Sequence, residues 1–197
     1  MASAVDICNI ALGRLNIDPI NDISPPVTAV EKACARLYPT ARDDTLRSFP
    51  WNFAQKEVQL SLVAGVTKVG YEYVYAMPTD CVAARNIVSA AGRNIEQKYQ
   101  VISNDAGTAK IILSNVAEMW LAYTSNDIAT PLFDASFIDA LSWRLAADLS
   151  VPLKFSAEIQ TAMWQAHTSI LAHAQANDAA EGKQEPFNSN PWTEARG

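Results

Sequence analysis

Histidine is almost missing from this chain. Its 197 residues include only His167 and His173. These lie six positions apart, so they do not share a helix face as two metal ligands at i and i+4 would. No carboxylate cluster completes a site around them, and a metal centre is not expected. They read instead as polar histidines on a helix surface or an interface. Glycine is scarce, at 7 residues. Neither a G-x-G-x-x-G turn nor a P-loop is present, so no backbone cradle for phosphate is expected. A G-x-S-x-G nucleophile elbow is also missing. The three cysteines, Cys8, Cys34 and Cys81, form no C-x-x-C pair. An odd, widely spaced set argues against a disulfide framework and reads as buried, reduced thiols in a cytosolic setting. Basic residues do not exceed acidic ones: 15 Lys+Arg against 21 Asp+Glu leave a net charge of −6. An extended grip on duplex DNA needs the opposite balance. No apolar run approaches the roughly 20 residues of a membrane helix. The opening MASAVDICNIALGRL holds Asp6 and no basic stretch ahead of its apolar part, so it does not read as a secretory signal.

What is present is a globular composition. Hydrophobic residues make up 49% of the chain, too many for wholesale disorder. Charged residues make up only 18%, below the roughly 25% of ordinary soluble domains. Oligomer interfaces are depleted in charge, and a covered surface fits that deficit. A chain of this length buries roughly 70% of its unfolded surface and needs no staple. It accommodates one domain, or one domain with an inserted module.

The first segment, Ser3 to Asn16, carries Val5, Cys8, Leu12 and Leu15 at helical spacing, with Ile7 and Ala11 broadening the stripe. Ser3 followed by Asp6 forms a capping box with Asp in place of Glu or Gln. The prolines between Asp18 and Pro26 break this helix. Thr28 and Glu31 form a second capping box. The helix they open has Val30, Cys34, Leu37 and Ala41 on its inner face. Pro39 sits inside that periodicity and is expected to kink or interrupt it. Pro50 ends it.

The middle of the chain changes period. Ala54, Lys56, Val58, Leu60 and Leu62 fall on one face of a strand, with Gln55, Glu57 and Gln59 on the other. Tyr71, Tyr73 and Tyr75 alternate with Glu72, Val74 and Ala76. Further strands are expected at Val82–Ser89, Glu96–Ser103, Lys110–Leu113 and Glu118–Thr124. Turn signals at Ala91-Gly92, Asn104-Asp105 and Ala106-Gly107 separate several of them. Such short spacing predicts hairpins in an antiparallel sheet or small sandwich.

Helices return after Pro131. Phe133, Phe137, Leu141, Leu145 and Leu149 make an i, i+4 ladder, with Asp134 near its positive end. After Pro152 a last helix runs from about Ser156 to Asn177, using Ile159, Met163, Ala166, Ile170 and Ala174, with Trp164 and Leu171 flanking. Glu158 is its one charged residue. A solvated helix face normally carries several charges, so this helix is expected to be covered on more than one side, within the subunit or by a neighbour. The tail, Asp178 to Gly197, is polar apart from isolated Phe187 and Trp192. Such a segment is either a frayed terminus or an extended strap with aromatic anchors.

The class is therefore α+β: a helical bundle from the N- and C-terminal helices, an inserted antiparallel β-domain and an extended C-terminal tail. The boundaries are residues 1–50 for the first helices, 51–126 for the β-domain, 127–177 for the last helices and 178–197 for the tail. No catalytic residue and no cofactor is expected. Asp43 and Asp44 are adjacent, and neighbours on a helix point about 100° apart, so they read as a solvated face and not as a proton-sharing pair. Cys81 lacks a local base and reads as a buried thiol. The tyrosine ladder could stack nucleobases, but cross-strand packing is the plainer use.

Three stretches together resemble a known family. They are Leu46-Arg47-Ser48-Phe49-Pro50-Trp51-Asn52-Phe53-Ala54, then Tyr73-Val74-Tyr75-Ala76-Met77-Pro78-Thr79-Asp80-Cys81, and the opening helix followed by Arg36-Leu37-Tyr38-Pro39. This ensemble is similar to the tail tubular protein A family, the head-to-tail adaptors of short-tailed bacteriophages, over residues 3 to 175. The resemblance implies a structural virion protein without enzymatic activity, assembled in the host cytoplasm and resident in the virion tail. It implies a ring of identical copies, a dodecamer in the virion, between the portal protein and the nozzle protein (tail tubular protein B). Genomic double-stranded DNA would pass through the channel without specific binding, and no membrane would be involved. A ring subunit needs two unlike lateral faces. On this reading Phe187 and Trp192 are the candidate anchors on the portal, and the strands of residues 54–124 contact the nozzle. The alternative is a tail-associated enzyme degrading polysaccharide with two facing carboxylates. A third class, non-specific DNA binding, fits the acidic balance poorly.

Overall fold

Two reciprocal caps start the first two helices. The Asp6 amide donates to Ser3 Oγ at 3.1 Å, and the Ser3 amide donates to the Asp6 carboxylate at 2.8 Å. The Glu31 amide donates to Thr28 Oγ1 at 3.2 Å, and the Thr28 amide donates to the Glu31 carboxylate at 2.8 Å. Each box satisfies amides that no helical carbonyl can reach. The computed structural model describes residues 2–88 and 99–181. Among them the helices are α1 (Ala4–Arg14), α2 (Ala29–Ser48), α3 (Ala135–Ser150) and α4 (Ala157–Glu181). The strands are β1 (Gln55–Gln59), β2 (Tyr73–Ala76), β3 (Cys81–Val88), β4 (Tyr99–Ser103), β5 (Lys110–Ser114) and β6 (Trp120–Ser125). The chain is of mixed α+β class.

The helices share one core. Ile7, Cys8 and Leu12 of α1, Cys34 and Leu46 of α2, and Phe137, Leu141 and Leu145 of α3 are fully buried in it. The expected ladder of α3 is all inside, from Phe133 to Leu149. This helix is buried on more than one side, because α1, α2 and α4 all pack on it. Its hydroxyls turn inward on its own backbone, with Ser142 donating to the Asp139 carbonyl and Ser150 to the Ala147 carbonyl. Pro39 does not interrupt α2, which runs unbroken from Ala29 to Ser48. The proline lies on the exposed side, where water can serve the carbonyl that its missing N–H leaves free.

The strands form two antiparallel sheets, ordered β1-β6-β3 and β2-β5-β4 among the described residues. They face each other across a core of Leu60, Tyr75, Ile87, Ile112, Met119, Leu121 and Tyr123. In β1 the expected faces hold: Lys56 and Val58 are half-buried, while Gln55, Glu57 and Gln59 are exposed. Leu62 departs from that pattern and is exposed. The expected antiparallel pairing is present, as two sheets with few hairpins. Among the described strands only β4 and β5 are consecutive partners; β6 pairs with both β1 and β3, and β2 pairs with β5. Alternation in sequence fixes which face of a strand is buried, not which strand lies beside it. The β4–β5 turn uses Gly107 at φ +68, a conformation in which a side chain would be strained. The turn signal at Ala91-Gly92 lies outside the described residues.

The last helix also differs from expectation. It continues four residues past Asn177, to Glu181. Residues 178–181 therefore belong to α4 and not to an extended tail. Asp178 in this last stretch is buried, and its carboxylate accepts from the Asn52 amide just ahead of β1.

Candidate functional site

Two β-bulges in β3 build the joint between the sheets and the helices. The register of β3 against β6 slips between Cys81 and Ala83, and again between Ala84 and Asn86. Each slip leaves one residue out of the ladder, first Val82 and then Arg85. A bulged residue is re-aimed away from its sheet. Val82 turns into the helical core. Arg85 turns to the C-terminal end of α2. Its guanidinium donates to the carbonyls of Phe49 at 2.7 Å and Arg47 at 2.9 Å, and its Nε donates to Thr124 Oγ1 at 2.9 Å. The last carbonyls of a helix lack helical partners and carry its negative end, so a cation there satisfies both needs.

The junction motifs quoted above supply the rest of the joint. Trp51 is fully buried and donates from Nε1 to the Thr45 carbonyl at 3.0 Å. Its ring lies edge-on to Phe49 and Phe137, and Phe53 contacts Phe133 and Phe137. The Asn52 amide donates to both carboxylate oxygens of Asp178, at 3.0 and 3.1 Å, and Asn52 Nδ2 donates to the Asp178 carbonyl at 2.7 Å. Burial pushes the Asp178 carboxyl up, the Asn52 amide works against that, and the charges of Asp134 and Glu181 add to the rise.

In the Pro78-Thr79-Asp80-Cys81 turn, Asp80 is a hub. Its carboxylate accepts from Ser125 Oγ at 2.7 Å, Lys56 Nζ at 3.0 Å and Tyr123 Oη at 3.2 Å. Burial alone would raise this carboxyl, but the bonds from Ser125 and Lys56 outweigh it and hold the group below the ordinary carboxylate range. Lys56 also reaches Asp127 at 3.1 Å. One turn thus ties β1, β3 and β6 together.

Other expectations fall to packing. Tyr75 is buried between the sheets and donates to the Val116 carbonyl at 2.6 Å; Tyr73 lies 6.2 Å from it, ring to ring. Asp43 is half-buried and Asp44 exposed, and both are paired. Asp43 accepts from Arg42 at 2.8 Å and from Asn126 at 3.0 Å, while Asp44 pairs with Arg144 of α3. Their divergent directions, as neighbours on a helix, send one to the strands and the other to the helices. Cys81 is half-buried, and its thiol is pushed up to about 11 by burial and by Asp80, which keeps it protonated. His167 is buried, not on a polar surface. Its Nδ1 lies 2.9 Å from the Ala140 carbonyl, so that nitrogen carries the proton. Burial holds the imidazole below its ordinary pKa. His173 is exposed. An apolar cleft of about 500 Å³ opens between the loop holding Val63 and Val66 and the strands holding Ala76 and Ile111. Lys68 and Asp105 pair between that loop and the β4–β5 turn.

The outer face of α4 is the largest departure from a solvated helix. His167, Ala174 and Asp178 face inward. Ala162, Gln165, Ser169, Ala172 and Ala176 are exposed, and no Asp, Glu, Lys or Arg stands between Glu158 and Asp178. Burial of a second side within the subunit is therefore excluded among the described residues. Phe187 and Trp192 lie outside the described residues. No helix among those described is long and apolar enough to cross a membrane. No protein-family model matches the chain, and no curated protein matches it.

Proposed function

We propose that this chain is a head-to-tail adaptor subunit of a short-tailed phage virion, acting by shape and assembly without bond chemistry. On this reading the helices form a bundle, the sheets are an inserted β-domain, and residues beyond α4 extend toward the portal with Phe187 and Trp192 as anchors. Copies join in a ring that continues the DNA channel from the portal to the nozzle. Two of the three stretches that carry the resemblance hold residues with fold-building work: Trp51 and Asn52 at the joint, Asp80 at the strand hub. The observation that carries the reading is the exposed, charge-free face of α4. A neighbour's surface can cover such a face without stranding charges. A heterologous contact between copies closes into a ring when its rotation closes.

Coexpression with the portal protein of the same phage tests the proposal. Electron microscopy should show a ring of this chain on one end of the portal. Replacing Ala172 and Ala176 by Glu should leave a folded monomer and no ring, and deleting residues 182–197 should weaken portal attachment. A chain that never joins the portal, or a ring indifferent to both glutamates, overturns it.

A further inference from the structure

Asp178 is an unusual carboxylate in this fold. It is 3% exposed. No lysine or arginine among the described residues lies within ion-pairing distance of it. The charges that act on it are both negative: Asp134, just ahead of α3, and Glu181, in the last turn of α4. Against these stands one backbone N–H, shared between its two oxygens. It sits three residues from the end of a helix whose main packing partner is α3 alone.

We propose that the Asn52–Asp178 contact is a proton-controlled latch on the C-terminal end of α4, firmer when the Asp178 carboxyl is protonated and looser when it is charged. A proton removes the buried charge and its repulsion by Asp134 and Glu181. One oxygen still accepts the Asn52 N–H, and the bond from Asn52 Nδ2 to the main-chain carbonyl is untouched. Undocking the last turn returns the carboxylate to water, where its affinity for protons falls to the ordinary value. The docked state therefore binds the proton more tightly, and acidification favours docking. Rising pH favours release of the turn. This inference stands on the fold alone and not on the adaptor reading.

The test is hydrogen exchange of the full chain, read on residues 174–181 from about pH 4, near the ordinary carboxylate value of 3.8, up to pH 8 and corrected for the intrinsic pH dependence of exchange. Protection should rise toward the acid end of that range in the wild type. Asp178→Asn keeps an acceptor and carries no charge, so it should be protected at pH 8 as the wild type is at the acid end, with the pH response lost. Asp178→Ala lacks the acceptor and should be loose at both values. Glu181→Gln should reduce the pH response without abolishing it. A wild-type end that ignores pH, or a response that survives in Asp178→Asn, overturns the proposal. So does an Asp178→Asn chain looser than the wild type at pH 8.

Discussion

The guanidinium of Arg85 donates to the main-chain carbonyl of Phe49 at 2.7 Å, across the boundary between β3 and the end of α2. Arg85 reaches it because a bulge takes it out of the β6 ladder. The strand supplies the cap that the helix lacks.

Replacing Arg85 by Met keeps much of the apolar stem and removes every donor. The freed carbonyls face a part-buried joint, so unfolding in urea should show a loss of about 1.5–3 kcal/mol, the range for hydrogen bonds made by a charged group. Arg85→Lys should recover only part of it, since an ammonium cannot reproduce the planar fork that serves several acceptors at once.

Phe137 touches the rings of Trp51, Phe53 and Phe133, each at a centroid distance of 5.0 Å, and is fully buried. Phe137→Ala should cost about 3–5 kcal/mol through lost transfer energy and a cavity at the joint. Phe137→Leu should cost distinctly less. Equal melting temperatures for the two variants would show that aliphatic volume does not replace the ring, and would overturn the cavity argument.

His167 is held neutral by burial, below its ordinary value of 6.5. The unfolded chain takes up a proton there before the folded one does. Stability should therefore fall as pH drops below about 6.5, toward the folded value. Urea midpoints of His167→Gln should fall less between pH 7 and pH 5 than those of the wild type.

Asp80 has the opposite burial outcome to Asp178: its carboxyl is held below the ordinary value of 3.8. Its stabilising share is present above that value and is lost as pH falls through the folded one. Asp80→Asn should be less stable than the wild type at pH 7, and the gap should narrow in strong acid. A constant gap would assign the effect to geometry and not to charge.

Local chemistry made much of the fold legible. Both capping boxes, the ladder of α3 and the buried face of β1 follow from spacings of three, four and two residues. Failures came where a distant segment intervened. The end of α4 was misplaced because Asp178 looks like an ordinary polar tail residue until Asn52 is found beside it. His167 reads as a helix-surface or interface residue because nothing in its neighbourhood in sequence announces the Ala140 carbonyl. Neither Val82 nor Arg85 stands out in a strand of mixed composition, since a bulge is visible only against its partner.

Sequence alone determined where helices begin, which faces of helices and strands turn inward, and that α4 carries almost no charge. These are properties of a few residues and their periodicity, and they need no knowledge of what lies opposite. The tertiary structure decided strand partnership, the two bulges, the burial of His167 and Asp178, and that one side of α4 stays open. Those depend on which distant segments meet, as Ala140 and His167 do at a separation of 27 and Asn52 and Asp178 at 126. Desolvation and hydrogen bonding act on that meeting and not on the residue itself.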